Sequence, residues 1–266
     1  MQVISFDPAG AVVVALLVWL HLRATRTLGR RGYRVPRWQI AAWYGGVALI
    51  AIGLFGPLDH LGEDLLVAHM GQHLLVADLA APLLLVGARS PVLFFMLPRP
   101  LLVALARQPR LRAFSRFLRQ PLVALPLFVA VFYAWHLSFA FEAAQRSDLV
   151  HGLQHQSFVA IGLLVWWPVL EPNRSRLRGE LWKAGYVLGS RVATMFVGMA
   201  LLILRDPAYE PYTGAHGLSA VADQQVAGGL MMVVDVVIML VAVGFFFWRA
   251  GVDHDRAEAR GVARVG

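Results

Sequence analysis

The chain breaks into apolar runs close to the roughly 20 residues a helix needs to cross a bilayer, and the links between them alternate in charge. A backbone in hydrocarbon must satisfy its own hydrogen bonds, so such runs fold as helices. The expected spans are 9–27, 38–57, 65–87, 121–141, 149–170, 184–204 and 224–248. An interfacial or re-entrant piece is expected at 91–106, where Pro98-Arg99-Pro100 splits two runs too short to span, and a polar tail at 251–266. The expected fold class is all-α: one polytopic bundle of seven transmembrane helices in residues 1–250. Composition agrees, since 58% hydrophobic and 15% charged residues with a mean hydropathy of +0.62 describe a lipid-embedded chain. The first run follows Asp7 with no preceding Lys or Arg, the wrong flank for a cleavable signal peptide, and reads as a span.

Charge sorting tests the count. The first, third and fifth links and the tail hold 21 of the 24 Lys and Arg, leaving Arg146, Arg191 and Arg205. The opposite side carries Asp7, Asp59, Glu63, Asp64, Glu142, Asp148, Asp206, Glu210 and Asp223. By the positive-inside rule the amino terminus lies outside and the carboxyl terminus in the cytoplasm. The pI near 10.7 is therefore a topology signal, and no basic folded domain is left over to bind nucleic acid.

Two copies of one pattern stand out within these runs: His69-Met70-Gly71-Gln72-His73 and His151-Gly152-Leu153-Gln154-His155. Residues four apart on a helix share a face, with Cβ atoms about 5–6 Å apart, so each pair of imidazoles can reach one metal ion. Ionisable groups are costly in a membrane and mark function there by default. A buried histidine can also be a hydrogen-bonded core residue. With the amino terminus outside, His69 and His73 fall about 6 and 12 Å into the third span, and His151 and His155 about 3 and 9 Å into the fifth. His136, roughly five residues from the outer end of the fourth span, falls at a similar level. Five imidazoles from three helices thus occupy the outer third of the membrane.

The chain has 0 Cys, which removes thiolate ligands. A zinc peptidase would need Glu as general base where both copies carry Gln, so no enzymatic role is expected. Imidazole with thioether suits copper, with Met70, Met195 and Met199 available as ligands or as plain core. Zinc stays open as the bound metal. Haem stays open too, with one histidine from each pair as axial ligand. Gln72, Gln154, Asp223 and Gln224 are candidate supports for the ligands, and Asp223 is alternatively a helix cap. Deeper in the membrane, Arg191 lies level with Asp78 and Asp235, which reads as an ion pair locking helices or as part of an ion path.

The order Gly56-Pro57-Leu58-Asp59, His69 to Leu75, Ala81-Pro82-Leu83-Leu84, Trp135-His136, His151 to His155, Trp166-Trp167-Pro168 and Asp223 to Gly228 resembles the CtaG family of cytochrome c oxidase assembly factors, the kind linked to caa3-type oxidases. The resemblance covers nearly the whole chain. It implies a multi-pass protein of the bacterial inner membrane that helps assemble a haem-copper oxidase, with oxidase subunits and the bilayer as partners and copper delivery as its role. It also implies His69, His73, His136, His151 and His155 as the ligand set. Copper permeation and a haem-bearing redox protein remain as alternatives. The inner half supplies no ladder of His or Met continuing from His73 or His155, which weighs against permeation.

Overall fold

The computed structural model describes residues 8–55, 57–170 and 180–262; Asp7, Gly56, Arg174, Arg176, Arg178 and the end of the polar tail lie outside them. The described residues form helices and no strands, in the order α1 (Pro8–Gly29), α2 (Arg37–Leu54), α3 (Pro57–Asp64), α4 (Leu66–His73), a π-helical segment (Leu74–Ala80), α5 (Ala81–Gly87), α6 (Val92–Met96), α7 (Arg99–Ala106), α8 (Pro109–Leu118), α9 (Pro121–His136), α10 (Ser138–Arg146), α11 (Asp148–Leu170), α12 (Leu181–Ile203) and α13 (Ala220–Val262). Prolines open α3, α8 and α9, where the missing N–H costs nothing.

Five of these helical stretches are long and apolar enough to cross a membrane, and up to seven cross if α2 with α3 and α8 with α9 each count as one broken span. The stretch Leu66–Gly87 is the centre of the bundle, with 67% of its apolar window buried against 17% for α1 and 22% for α13. It carries His69, His73 and Asp78, so the costly polar groups ride on the most enclosed element. Close backbone approach holds it there. Gly46 of α2 lies against Ala80 and Leu84, and Gly162 of α11 lies so near Ala77 that a Cβ would stand 2.6 Å from its carbonyl oxygen. Small residues at such crossings let helices in lipid gain packing contact.

Four boundaries differ from the sequence expectation, each for a traceable reason. The fourth span stops at His136 instead of 141. Leu137 turns extended, and polar groups on either side of it bond to the link after α12: Tyr209 Oη donates to His136 O at 3.0 Å, and Ser138 Oγ donates to Ala208 O at 3.2 Å. The piece at 91–106 divides. Its first half, α6, packs on α1, where Arg23 Nη1 donates to the carbonyls of Phe95 (2.6 Å) and Leu97 (2.9 Å) at the helix C-terminus. Its second half, α7, is exposed, as is α8 beyond it. The polar tail continues α13, a 43-residue helix of about 65 Å, because no proline interrupts it. Finally, the third span is not α-helical throughout, and the π segment bears directly on the site.

Candidate metal site

The two histidine pairs meet. The His69 ring lies 4.4 Å from His73, 5.3 Å from His151 and 6.1 Å from His155, and His155 lies 5.5 Å from His73 and 4.3 Å from His151, centroid to centroid. Metal–nitrogen bonds of about 2.0 Å put neighbouring ring centres about 5 Å apart around one ion, so the spacing suits a shared site. The orientations do not yet converge: among the described residues no group of three or more His, Asp or Glu is aligned to hold an ion as it stands. Turning the rings about their own side-chain bonds would be needed.

Burial makes these groups unusual. His69, His73 and His155 are 0%, 5% and 4% exposed, and His151 is the partly exposed member. The Nε2 atoms of His69 and His155 and both ring nitrogens of His73 are buried with no hydrogen-bond partner. Orphaned polar atoms of this kind are uncommon in a native interior and ask for a reason. Gln145 Nε2 donates to His69 Nδ1 at 3.0 Å, which makes Nδ1 the acceptor and fixes the ring proton on Nε2.

His136 is not in the four-ring cluster. Phe158 stands between, stacked on His73 at 4.1 Å and 6.2 Å from His136. His136 Nδ1–H donates to Phe132 O at 2.7 Å, which leaves its buried Nε2 as the ligand-ready nitrogen. It shares with His73 a cavity of about 10 Å³, room for about one water, whose lining also includes Met70, Asp78, Met231 and three phenylalanines. The π segment explains how His73 and Asp78 face one cavity. Five residues of α-helix turn about 140° past a full revolution, whereas the wider turn of i→i+5 bonding brings residues five apart much closer to one face.

At the bottom of this cavity sits the ion cluster. Arg191 Nη1 donates to Asp78 Oδ1 and, at 3.1 Å, to Asp235 Oδ1; Thr194 Oγ1 donates to Asp235 Oδ2 at 2.7 Å; and Phe128 lies against the guanidinium. Three helical elements are tied by one cation.

The remaining candidate residues hold the frame. Asp223 accepts from the backbone N–H of Leu66 (2.6 Å) and Val67 (3.0 Å), so it caps α4 from the first turn of α13. Gln72 Nε2 donates to Gly53 O (2.7 Å) and Asp59 Oδ1 (2.9 Å), facing α2 and α3. Gln224 accepts from Ala208 N at 2.7 Å and donates to Leu201 O at 3.2 Å, pinning the link between α12 and α13. Gln154 is fully buried on α11. Met195 and Met199 do not line the cavity, and Met199 is 42% exposed. Met231 was not singled out from sequence; standing four residues before Asp235, it shares that residue's helix face, which was the available signal.

The end of the bundle that carries the histidines is covered. Phe141 of α10 lies 4.9 Å from the His69 ring and stacks on Tyr209 at 4.0 Å, while Tyr212 Oη donates to Gly62 O at 2.9 Å. Burial pushes both phenols above the ordinary tyrosine value, so they stay protonated donors.

No curated protein and no solved structure matches the chain. Residues 19–251 match the family described as cytochrome c oxidase caa3 assembly factor (Caa3_CtaG). A helical membrane bundle whose most enclosed segments carry paired histidines thus belongs, over nearly its whole length, to the Caa3_CtaG family of cytochrome c oxidase caa3 assembly factors.

Proposed function

We propose that this protein binds copper through its outer histidines and hands it to a subunit of the oxidase it helps assemble, acting as a carrier and not as an enzyme. The observation that carries the reading is the packing of four imidazoles from α4 and α11, three of which, His69, His73 and His155, have buried ring nitrogens without a hydrogen-bond partner. Copper is the cargo. Imidazole donors without thiolate suit a carrier that must release its ion, and copper outranks other first-row divalent ions for nitrogen ligands. The acids at Asp59, Glu63, Asp64, Glu142 and Glu210 would draw cations to the face where His151 is partly exposed. A macrocycle would need a pocket of about 300 Å³ or more, far beyond the room beside His73 and His136, which favours a bare ion over haem.

The reading includes seven spans with the amino terminus outside the bacterial inner membrane, counting both bent pairs as spans and following the basic links. Single cysteines at Ser219 and Ser175 are expected to label from opposite sides in intact cells; labelling from one side would refute this topology. The function is tested in a deletion strain. Oxidase polypeptides are expected to be present but copper-poor and inactive, with partial rescue by added copper. Fully metallated, active oxidase without this protein would refute copper delivery.

A further inference from the structure

The cavity beneath the four-histidine cluster has a composition that the cluster lacks. Two thioether side chains, Met70 and Met231, and two imidazoles, His73 and His136, line a space for about one water-sized body, closed by Phe128, Phe132 and Phe158. Thioether with imidazole is a donor set for a soft ion. Both nitrogens of His73 and Nε2 of His136 are buried without partners. Asp78 lines the same space and belongs to a cluster of two carboxylates and one guanidinium, whose formal charge is −1. A buried charge is tolerated when it is compensated nearby, and this surplus matches a monovalent ion, not a divalent one.

Resting on the copper reading above, we propose that this cavity is a second, inner station specific for copper in the +1 state, held by Met70, His73, His136 and Met231, with the Asp78 side of the ion cluster as its counter-charge. His73 belongs to both places, so the ion passes from the outer imidazoles to the inner thioethers by exchanging ligands around one shared residue. No electron is transferred in that step. The ion arrives and remains as Cu(I), and the two ligand sets exchange one cation.

The test uses the full-length protein in detergent, loaded anaerobically with Cu(I) and separately with Ag(I), its redox-inert mimic. X-ray absorption at the copper edge is expected to show sulfur as well as nitrogen neighbours. The Met70→Leu, Met231→Leu variant is expected to lose the sulfur signal and bind Cu(I) and Ag(I) at least about tenfold more weakly, with Cu(II) binding unchanged. Leucine preserves volume, so the fold should survive; the Met195→Leu, Met199→Leu variant, altered outside the cavity, should keep the signal. A nitrogen-only spectrum from copper-loaded wild type, or wild-type Cu(I) affinity in the cavity variant, overturns the inner station and leaves the carrier reading standing. Absence of any copper binding overturns both. If the cavity variant does not fold, the wild-type spectrum decides alone.

Discussion

Replacing His73 and His155 together by alanine is expected to remove most of the copper the protein can bind while the protein still inserts and folds. The two rings lie 5.5 Å apart on α4 and α11, so the change strips one ligand from each helix and leaves no pair intact. Groups that merely orient a metal ligand cost about 10- to 100-fold in affinity when removed, so losing two direct ligands should cost more than about 100-fold. Stability should suffer less. Truncating a ring leaves a hole, but the nitrogens removed include three buried atoms that have no hydrogen bond to lose, and relief of that burial offsets part of the cavity cost. Copper analysis of protein purified without a histidine tag, beside a thermal melt, separates the two effects. Wild-type copper content in the double variant would end the shared-site reading.

Arg191→Ala should behave in the opposite way, costing the protein itself. The guanidinium is 0% exposed and holds Asp78 and Asp235 on two other elements. Its removal leaves two carboxylates buried together in hydrocarbon without a cation, a mechanism that costs about 3–5 kcal/mol and accounts for the far tail of single-mutant effects. Membrane abundance and melting temperature are both expected to fall sharply. Removing all three charges, as Arg191→Met with Asp78→Asn and Asp235→Asn, should recover much of that loss, because a neutral cluster has nothing to strand. Normal abundance of the single variant, or failure of the triple variant to improve on it, would show that the ion cluster is not a structural lock.

The helices were legible because apolar length and charge alternation are local properties, and the face shared by His69 and His73 follows from helical spacing alone. What was hidden is what distant residues impose. Nothing in Leu74–Ala80 announces i→i+5 bonding; the close approach of Gly162 to Ala77 accompanies it, and its effect is to bring Asp78 round to the side of His73. His136 was expected inside a span and proves to be its last residue, because the carbonyl it leaves open is met by Tyr209, 73 residues further on. Asp223 is recognisable as a capping residue type, but the helix it caps begins at Leu66, 157 residues away. The same non-locality explains Met231, whose relevance depends on a cavity built by α4, the π segment, α9, α11 and α13.

The aromatic cover over the histidines is a light latch. The phenolic bonds from Tyr209 to His136 and from Tyr212 to Gly62 contribute about 1 kcal/mol each, and the Phe141–Tyr209 stack about as much again. A cover held by about 3 kcal/mol stands open roughly one part in a hundred of the time. For any ion seated beneath it, exchange with the outside is slowed by that factor whatever the strength of the ligands. Such a cover slows entry and exit alike, so it would lengthen the residence of a bound ion without altering its equilibrium affinity.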